Sequence, residues 1–210
     1  MRTQHAVLVL AGLALIVGPV LARGALAAMS DGQTVVNNTF SSSDCTATGN
    51  TGFLNPDGQA ADSGGDGDGF EVNAVYAFTD GGSYAENNDG ADDRHQYYDY
   101  YVSIPASCST ISGIEVRLDW WLDDTAGISS MSVELSWSGG TSWTAAKTDS
   151  TETVSEHSET LGGPSDTWGR SWTATQLDNS NFRVRVTSTS DDGLRDFFLD
   201  WVPVKVYYAP

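Results

Sequence analysis

Apolar and polar residues alternate strictly along several segments in the second half of the chain. In residues 114–122 every second side chain is apolar, a period that fits a half-buried β-strand and does not fit an α-helix. These apolar residues are Ile114, Val116, Leu118, Trp120 and Leu122. Other strand candidates are residues 34–40, 70–76, 96–104, 131–137, 182–186 and 198–208. The sequence therefore predicts an all-β chain, an antiparallel β-sandwich of jelly-roll type with eight or nine short strands.

Two turn signals add detail to this expectation. Residues 138–141 read Ser-Gly-Gly-Thr, and glycines that accept positive φ predict a hairpin returning at Trp143. Pro203 interrupts the last alternating segment, and proline has no N–H to donate to a neighbouring strand. We therefore expect the last strand to lie at a sheet edge or to carry a bulge.

The first 27 residues have the pattern of a secretory signal peptide. A basic residue precedes an apolar run from Val7 to Ala22, and small residues suited to signal-peptidase cleavage follow at positions 25–27. The sequence predicts a signal peptide over residues 1–27, an N-terminal arm over 28–52 and a single β-sandwich domain over 53–210. We expect the mature protein to lie outside the cell or on the cell surface.

The charge balance argues against two classes of partner. The chain has 28 acidic and 10 basic side chains, a formal net charge of −18 at pH 7. Nucleic-acid backbones and anionic lipid headgroups are bound through lysine and arginine. We therefore expect no nucleic-acid binding, and no direct membrane binding once the leader is removed.

The chain contains two cysteines, Cys45 and Cys108. In an oxidising compartment they predict a disulfide that ties the arm to the domain. Pairing between two molecules and two free thiols are the alternatives.

Several motifs resemble a module that recurs in secreted and cell-surface proteins of prokaryotes. They are LGGPSDTWGRSW at 161–172, NFRVRV at 181–186 and FFLDWVPVKVYY at 197–208, with DRHQYY at 93–98 and ISGIEVRL at 111–118 upstream. The resemblance implies an extracellular β-domain attached to surface architecture. It implies no catalytic residues, because no enzymatic activity is assigned to that module.

Catalytic signals are weak in the sequence. His95 and His157 follow the predicted leader, and neither lies in a pattern that places a base beside a nucleophile. Ser165 lacks the flanking glycines of a nucleophile elbow, and His95 is interpreted as an ordinary polar strand residue. We predict that the protein is not an enzyme, although a glycosidase would need only two carboxylates at a suitable separation.

Two acidic loops, residues 62–69 and 87–93, are candidates for a structural calcium site. Calcium prefers clustered oxygen ligands, which the first loop offers at Asp62, Asp66 and Asp68 and the second at Asp89 and Asp93. The alternative is a solvated turn between strands that binds no ion.

Four tryptophans are candidates for a flat platform that holds a ligand or partner. Trp121 lies opposite the apolar row of its strand, and Trp143, Trp168 and Trp172 lie near turns. Aromatic faces on a sandwich can stack on saccharide rings. Covering the edges of the core is the alternative role.

The predicted function is that of a structural or adhesive component of the cell exterior, a self-assembling filament or surface-layer subunit. Residues 33–40 form a strand candidate that can complete a neighbouring subunit's sheet, or can pair within its own sandwich. The expected partners are copies of the chain or other cell-surface components. The alternative function is a carbohydrate-binding module with a glycan partner.

Overall fold

The structure is a computed structural model that describes residues 45, 47–65, 67–88, 92–108 and 110–210. These residues belong to one compact unit, which spans residues 42–210. The described part contains eleven β-strands, two short 3₁₀ helices and no α-helix. The predicted all-β fold class is confirmed, with more strands than expected. The predicted signal peptide and the candidate strand at 34–40 lie outside the described residues.

The elements are short and follow one another closely along the chain. The strands are β1 (Gly49–Asn50), β2 (Gly58–Asp62), β3 (Ala85–Asn87), β4 (Arg94–Tyr98), β5 (Thr110–Leu122), β6 (Ser129–Ser136), β7 (Lys147–Asp149), β8 (His157–Gly162), β9 (Arg183–Ser190), β10 (Phe197–Trp201) and β11 (Val204–Ala209). The 3₁₀ helices are Ala74–Phe78 and Ala174–Leu177.

The strands form two antiparallel sheets that pack face to face. In the first, named sheet A, β8 runs along one side of β5, while β10 and β11 follow one another along the other side. Strand β3 then pairs with β10, and β1 pairs with β11. The second, named sheet B, has the order β2-β4-β9-β6-β7. The predicted antiparallel sandwich is confirmed.

The core lies between the sheets and is built from the alternating residues. All five apolar residues predicted to share a face of β5 are at most 1% exposed. They belong to one cluster with Val184 and Val186 of β9 and with Met131 of β6, which sheet B contributes. Burying alternate side chains from each sheet removes their apolar surface from water, and this stabilises the sandwich.

The last predicted strand is divided in two and lies inside sheet A. The expected bulge is confirmed, because Asp200 is an extra residue in the register between β10 and β5. The edge alternative does not apply, since β10 and β11 have neighbours on both sides. Pro203 falls between the two strands, where its carbonyl accepts a hydrogen bond from the Arg117 N–H at 3.2 Å. A residue without an N–H is tolerated there because no ladder bond is required of it.

Two other strand predictions are only partly right. Residues 70–76 do not form a strand: Val72 makes a single bridge, and Asn73 has φ of 54°, after which the chain turns into a 3₁₀ helix. The segment 96–104 is extended only to Tyr98, because Asp99 and Tyr101 adopt φ of 61° and 51°. Positive φ ends a strand, since it turns the chain out of the extended conformation.

The predicted local connections are confirmed. Cys45 and Cys108 form a disulfide with their Cα atoms 4.9 Å apart. Trp143 pairs with Ser136 across the predicted glycine turn, in which Gly139 and Gly140 adopt φ of 66° and 90°. The hairpin continues as β7, which pairs with β6.

Candidate functional site

The outer face of sheet A carries three aromatic side chains in mutual contact, which we call the aromatic patch: Tyr84, Trp121 and Phe198. Trp121 on β5 pairs with Phe198 on β10, and their ring centroids are 5.4 Å apart. The Tyr84 ring lies 5.0 Å from each of them and packs edge-on. Tyr84 is 38% exposed, and the other two are half-buried. The patch therefore presents ring surface to solvent on a rigid pair of strands.

The bulge in β10 binds the loop that places Tyr84 in the patch. The extra residue Asp200 accepts hydrogen bonds at its Oδ2 from the N–H groups of Gly81 and Gly82, at 3.3 Å and 3.0 Å. Gly82 adopts φ of 73°, a conformation that glycine reaches without a steric penalty. The carboxylate thus fixes the loop that precedes β3, and Tyr84 lies at the end of this loop.

Three acidic side chains next to the patch form what we call the carboxylate cluster: Asp119, Glu156 and Asp200. Asp119 and Asp200 are 0% and 1% exposed. Within the described part of the chain, Asp119 Oδ2 and Asp200 Oδ1 accept no hydrogen bond. Desolvation by the adjoining protein raises the pKa of the exposed Glu156 carboxyl. The negative charges of Asp200, Asp119 and Asp80 raise this pKa further, and Arg117 lowers it. Negative charge is therefore concentrated here without full compensation.

One arginine offsets part of this charge. Arg117 donates from Nε to Asp119 at 2.7 Å and from an Nη to Ser158 at 2.9 Å. Its guanidinium also lies 4.9 Å from the centroid of the Trp201 ring. Beyond Trp201 the outer face of sheet A is paired, since Lys205 bonds Glu115 at 2.9 Å. Negative charge on this face is thus left uncompensated at the end that carries the aromatic patch.

Aromatic rings beside carboxylates suit a ligand that has both C–H faces and hydroxyl groups. The faces of aromatic rings are electron-rich and attract weakly positive C–H groups, in addition to burying apolar area. Carboxylate oxygens accept hydrogen bonds from hydroxyl donors, and such charge-assisted bonds are stronger than neutral ones. Exposed Glu156 and half-buried Glu86, which pairs with Phe198, place acceptors on two sides of the patch.

The outer face of sheet B uses similar residues, and there the charges around Arg185 are paired. Arg185 lies 4.2 Å from the centroid of the Trp143 ring. It also forms ion pairs with Glu134 at 2.6 Å and Asp62 at 3.0 Å. Trp143, a predicted platform residue, is therefore half-buried and covered on one side by a paired arginine.

Two of the predicted platform residues are core residues, so their assignment to a platform is wrong. Trp168 and Trp172 are 5% and 4% exposed and belong to the central apolar cluster. Trp168 donates its indole N–H to the Ile114 carbonyl, and Trp172 donates to the Thr167 carbonyl, both at 2.9 Å. Both rings belong to the long connection between β8 and β9, which packs them against the core. Among the four candidates, Trp121 is the one in the patch.

The predicted calcium ligands are not brought together where the structure describes them. Asp62 pairs with Arg185, whereas Asp93 is buried and accepts a hydrogen bond from Asn87 at 3.2 Å. Asp68 is exposed, and Asp66 and Asp89 lie outside the described residues. No group of three or more His, Cys, Asp or Glu side chains within the described ranges is placed to hold a metal ion. The calcium loop stays a prediction.

Both histidines of the sandwich have structural partners. His95 is 2% exposed and accepts a hydrogen bond at Nδ1 from the Phe70 N–H at 3.1 Å, while its Nε2 bonds Gln59 at 2.7 Å. Burial lowers the pKa of His95 to about 4, so the ring is neutral at pH 7. His157 bonds Asp149 at 2.7 Å, as expected for histidines that hold strands together rather than activate a nucleophile.

Sequence reasoning missed most of the patch. Phe198 had a usable signal, because it alternates with buried Leu199 and so faces outward like Trp121. Tyr84 had none, because its place depends on a loop bound to a residue 119 positions away. Asp119 alternates in the same way as Trp121, but its burial depends on neighbouring strands.

Comparisons with known proteins find only remote similarity, to solved structures. No family model matches it, and no curated protein matches it significantly. One similar solved structure is the CBM32 of AlyQ in complex with 4,5-unsaturated mannuronic acid, with 13% identity, TM-score 0.35 and coverage of 72% of this chain and 96% of that one. Another is the CBM36-1 domain of a multidomain xylanase from the hindgut metagenome of Trinervitermes trinervoides, with 12% identity, TM-score 0.36 and coverage of 75% and 96%.

A third similar structure is that of a protease. It is the secreted serine protease VesC from Vibrio cholerae, with 11% identity, TM-score 0.32 and coverage of 71% of this chain and 24% of that one. Likeness at this level carries no argument about a ligand or an activity of this chain. Separately, none of the described helices is long and apolar enough to cross a membrane.

Proposed function

We propose that the protein is an exported, non-catalytic glycan-binding domain whose ligand lies on the aromatic patch. The observation that carries the proposal is the exposed Tyr84 ring, packed against Trp121 and Phe198 beside carboxylates that are only partly compensated. A saccharide offers a C–H face to the rings and hydroxyl donors to the acidic oxygens.

The charge of the molecule favours a hydroxyl-rich ligand over the other large classes. A net charge of −18 repels nucleic acids and anionic membrane surfaces. The cluster beside the patch would also repel acidic protein surfaces, whereas neutral glycans carry no charge to be repelled.

Export is part of the proposal. The sequence pattern of residues 1–27 predicts a leader, and the Cys45–Cys108 disulfide is of a kind that persists in oxidising compartments. Self-assembly into a filament or surface layer stays a prediction, because the arm strand on which it depends lies outside the described residues.

Glycan-array screening followed by calorimetry on the full-length secreted protein tests the proposal. We expect binding of a neutral oligosaccharide, weakened about 30-fold or more in Trp121→Ala, as for a central aromatic anchor that contributes about 2 kcal/mol. Trp143→Ala is the matched control, because it removes the same side chain from the outer face of the other sheet. No array hit, or equal losses in the two variants, would contradict the proposal. Release of reducing ends from the bound glycan would show an enzyme instead.

A further inference from the structure

A groove of about 670 Å³ beside the start of β5 holds an arginine that forms no ion pair with the described residues. The residues that line it are Thr110, Ile111, Thr167, Gly169, Arg170, Ser171 and Trp172. The Thr110 hydroxyl already donates to the Pro210 carbonyl, at 3.3 Å. It belongs to the connection between β8 and β9 rather than to the aromatic patch. The hydroxyls and the guanidinium give it a lining rich in hydrogen-bond donors.

Two indole rings hold the arginine in place. The Arg170 guanidinium carbon lies 3.6 Å from the centroid of the Trp137 ring and 4.7 Å from that of Trp172. Trp172 is itself fixed, since it packs 5.9 Å from Phe182 in the core and donates its indole N–H to the Thr167 carbonyl. A guanidinium held between aromatic faces has lost rotamer freedom before any ligand arrives.

The hydrogen-bonding capacity of this guanidinium is largely unused. Its hydrogen bond to the protein runs from Nε to the Ser171 carbonyl at 3.3 Å, which is long. Nη1 is buried without a partner among the described residues. Burial lowers the pKa of Arg170, and no carboxylate opposes that shift. The positive charge is thus partly desolvated and uncompensated within the described part of the chain.

Arg185 is in a similar arrangement, but its positive charge is compensated by carboxylates. It also lies over a tryptophan, at 4.2 Å, but two carboxylates, Glu134 and Asp62, bind its guanidinium. Four further basic residues have acidic partners too: Arg117, Lys147, Arg195 and Lys205. Arg94 and Arg183 also form no ion pair with a described residue, but among these three arginines only Arg170 lines the groove.

We infer that the groove binds a carboxylate group of a ligand, through the guanidinium of Arg170 and the hydroxyls beside it. A planar guanidinium fork matches the two oxygens of a carboxylate. The strongly negative molecule disfavours polyanions and doubly charged phosphates, which leaves a singly charged group as the fitting partner. We assign it to a single terminal uronic acid, because the hydroxyl-bearing residues beside Arg170 suit the hydroxyl groups of a sugar ring. The inference does not depend on the aromatic patch.

Nuclear magnetic resonance titration of the secreted protein tests this inference, with the Trp172 indole and Arg170 Nε–H signals as readouts. The probes are sodium glucuronate with glucose as its neutral match, and a short peptide with a free or an amidated C-terminus. We expect glucuronate to shift both signals in a saturable way and glucose to shift neither. Shifts with the free peptide and none with glucuronate would overturn the assignment to a uronic acid.

Arg170→Met should weaken the binding about 10- to 100-fold, the usual loss of a charged hydrogen-bonded pair. Arg183→Met is the matched control, because Arg183 also stacks on an aromatic ring, at 4.4 Å from Tyr98, and forms no ion pair with a described residue. If Arg170→Met does not fold, Arg170→Lys keeps the charge and removes the fork, and it should also weaken the binding. Equal shifts with charged and neutral probes, tighter binding of inorganic phosphate, or equal losses in the two methionine variants would overturn the inference.

Discussion

The two outer faces of the sandwich are built from the same kinds of residue, but they distribute charge differently. On sheet B, Arg185 lies between two carboxylates and over Trp143, so charge and ring are occupied within the protein. On sheet A, Asp119 and Asp200 each keep a buried oxygen without a hydrogen bond in the described structure, and Tyr84 is open to solvent. Composition alone therefore does not mark a binding face. The unpaired atoms of sheet A are carboxylate oxygens, which accept hydrogen bonds, whereas Arg183 on sheet B leaves a donor, Nε, unpaired.

Lowering the pH should give the largest difference in stability between the two sheets, because His95 belongs to sheet B. The pKa of His95, which packs inside sheet B, is lowered from 6.5 to about 4, so the unfolded chain takes up a proton before the folded chain does. Stability is therefore lost as the pH falls from 6.5 through 4, by about 2 kcal/mol between pH 7 and pH 5. Urea unfolding at the two pH values measures this loss.

His95→Gln is the control for that experiment, because glutamine does not titrate and can still accept the hydrogen bond from Phe70. The variant should lose much less stability than the parent between pH 7 and pH 5. A parent protein whose stability is the same at pH 7 and pH 5 would contradict the buried, neutral histidine.

Glu156 acts in the opposite sense, since a carboxyl with a raised pKa favours the folded state at low pH. That contribution to stability is lost as the pH rises through the folded-state pKa.

Replacing carboxylates by amides should change stability in opposite directions on the two faces. Glu134→Gln removes the charge that binds Arg185 at 2.6 Å, and we expect it to destabilise the protein by about 1–3 kcal/mol. Asp200→Asn keeps an oxygen for the Gly81 and Gly82 N–H groups and removes repulsion within the carboxylate cluster. We expect it to stabilise by about 1 kcal/mol. Chemical unfolding at pH 7 measures both, and a loss of stability in Asp200→Asn would show that its charge is already compensated.

Added salt should have the smallest effect on stability, and this effect should come from the carboxylate cluster of sheet A. At low ionic strength the repulsion among Asp119, Glu156 and Asp200 is only weakly screened, and added salt reduces it at the solvent-exposed Glu156. We expect sodium chloride to stabilise the parent slightly more than Glu156→Gln, by a few tenths of a kcal/mol. Melting temperatures of the two proteins across a salt series provide the check. An identical salt dependence would mean that Glu156 is not part of a repulsive cluster.

Local pattern was enough to predict the sandwich, but not the site. The alternation around Trp120 predicted the buried face of β5 correctly, because a period of two follows directly from strand geometry. Trp168 and Trp172 were misassigned, because proximity to a turn does not tell whether a loop folds back over the core. Tyr84 could not be found at all, since its position depends on hydrogen bonds between distant residues.

The indole N–H resonances of the seven tryptophans show whether sheet A carries the binding face. An oligosaccharide selected on the array is titrated into protein labelled with ¹⁵N at these positions. We expect a large, saturable shift at Trp121 and a smaller one at Trp201, with Trp143 unchanged. Shifts confined to Trp143, or to the groove residues Trp137 and Trp172, would place the ligand elsewhere and contradict the claim.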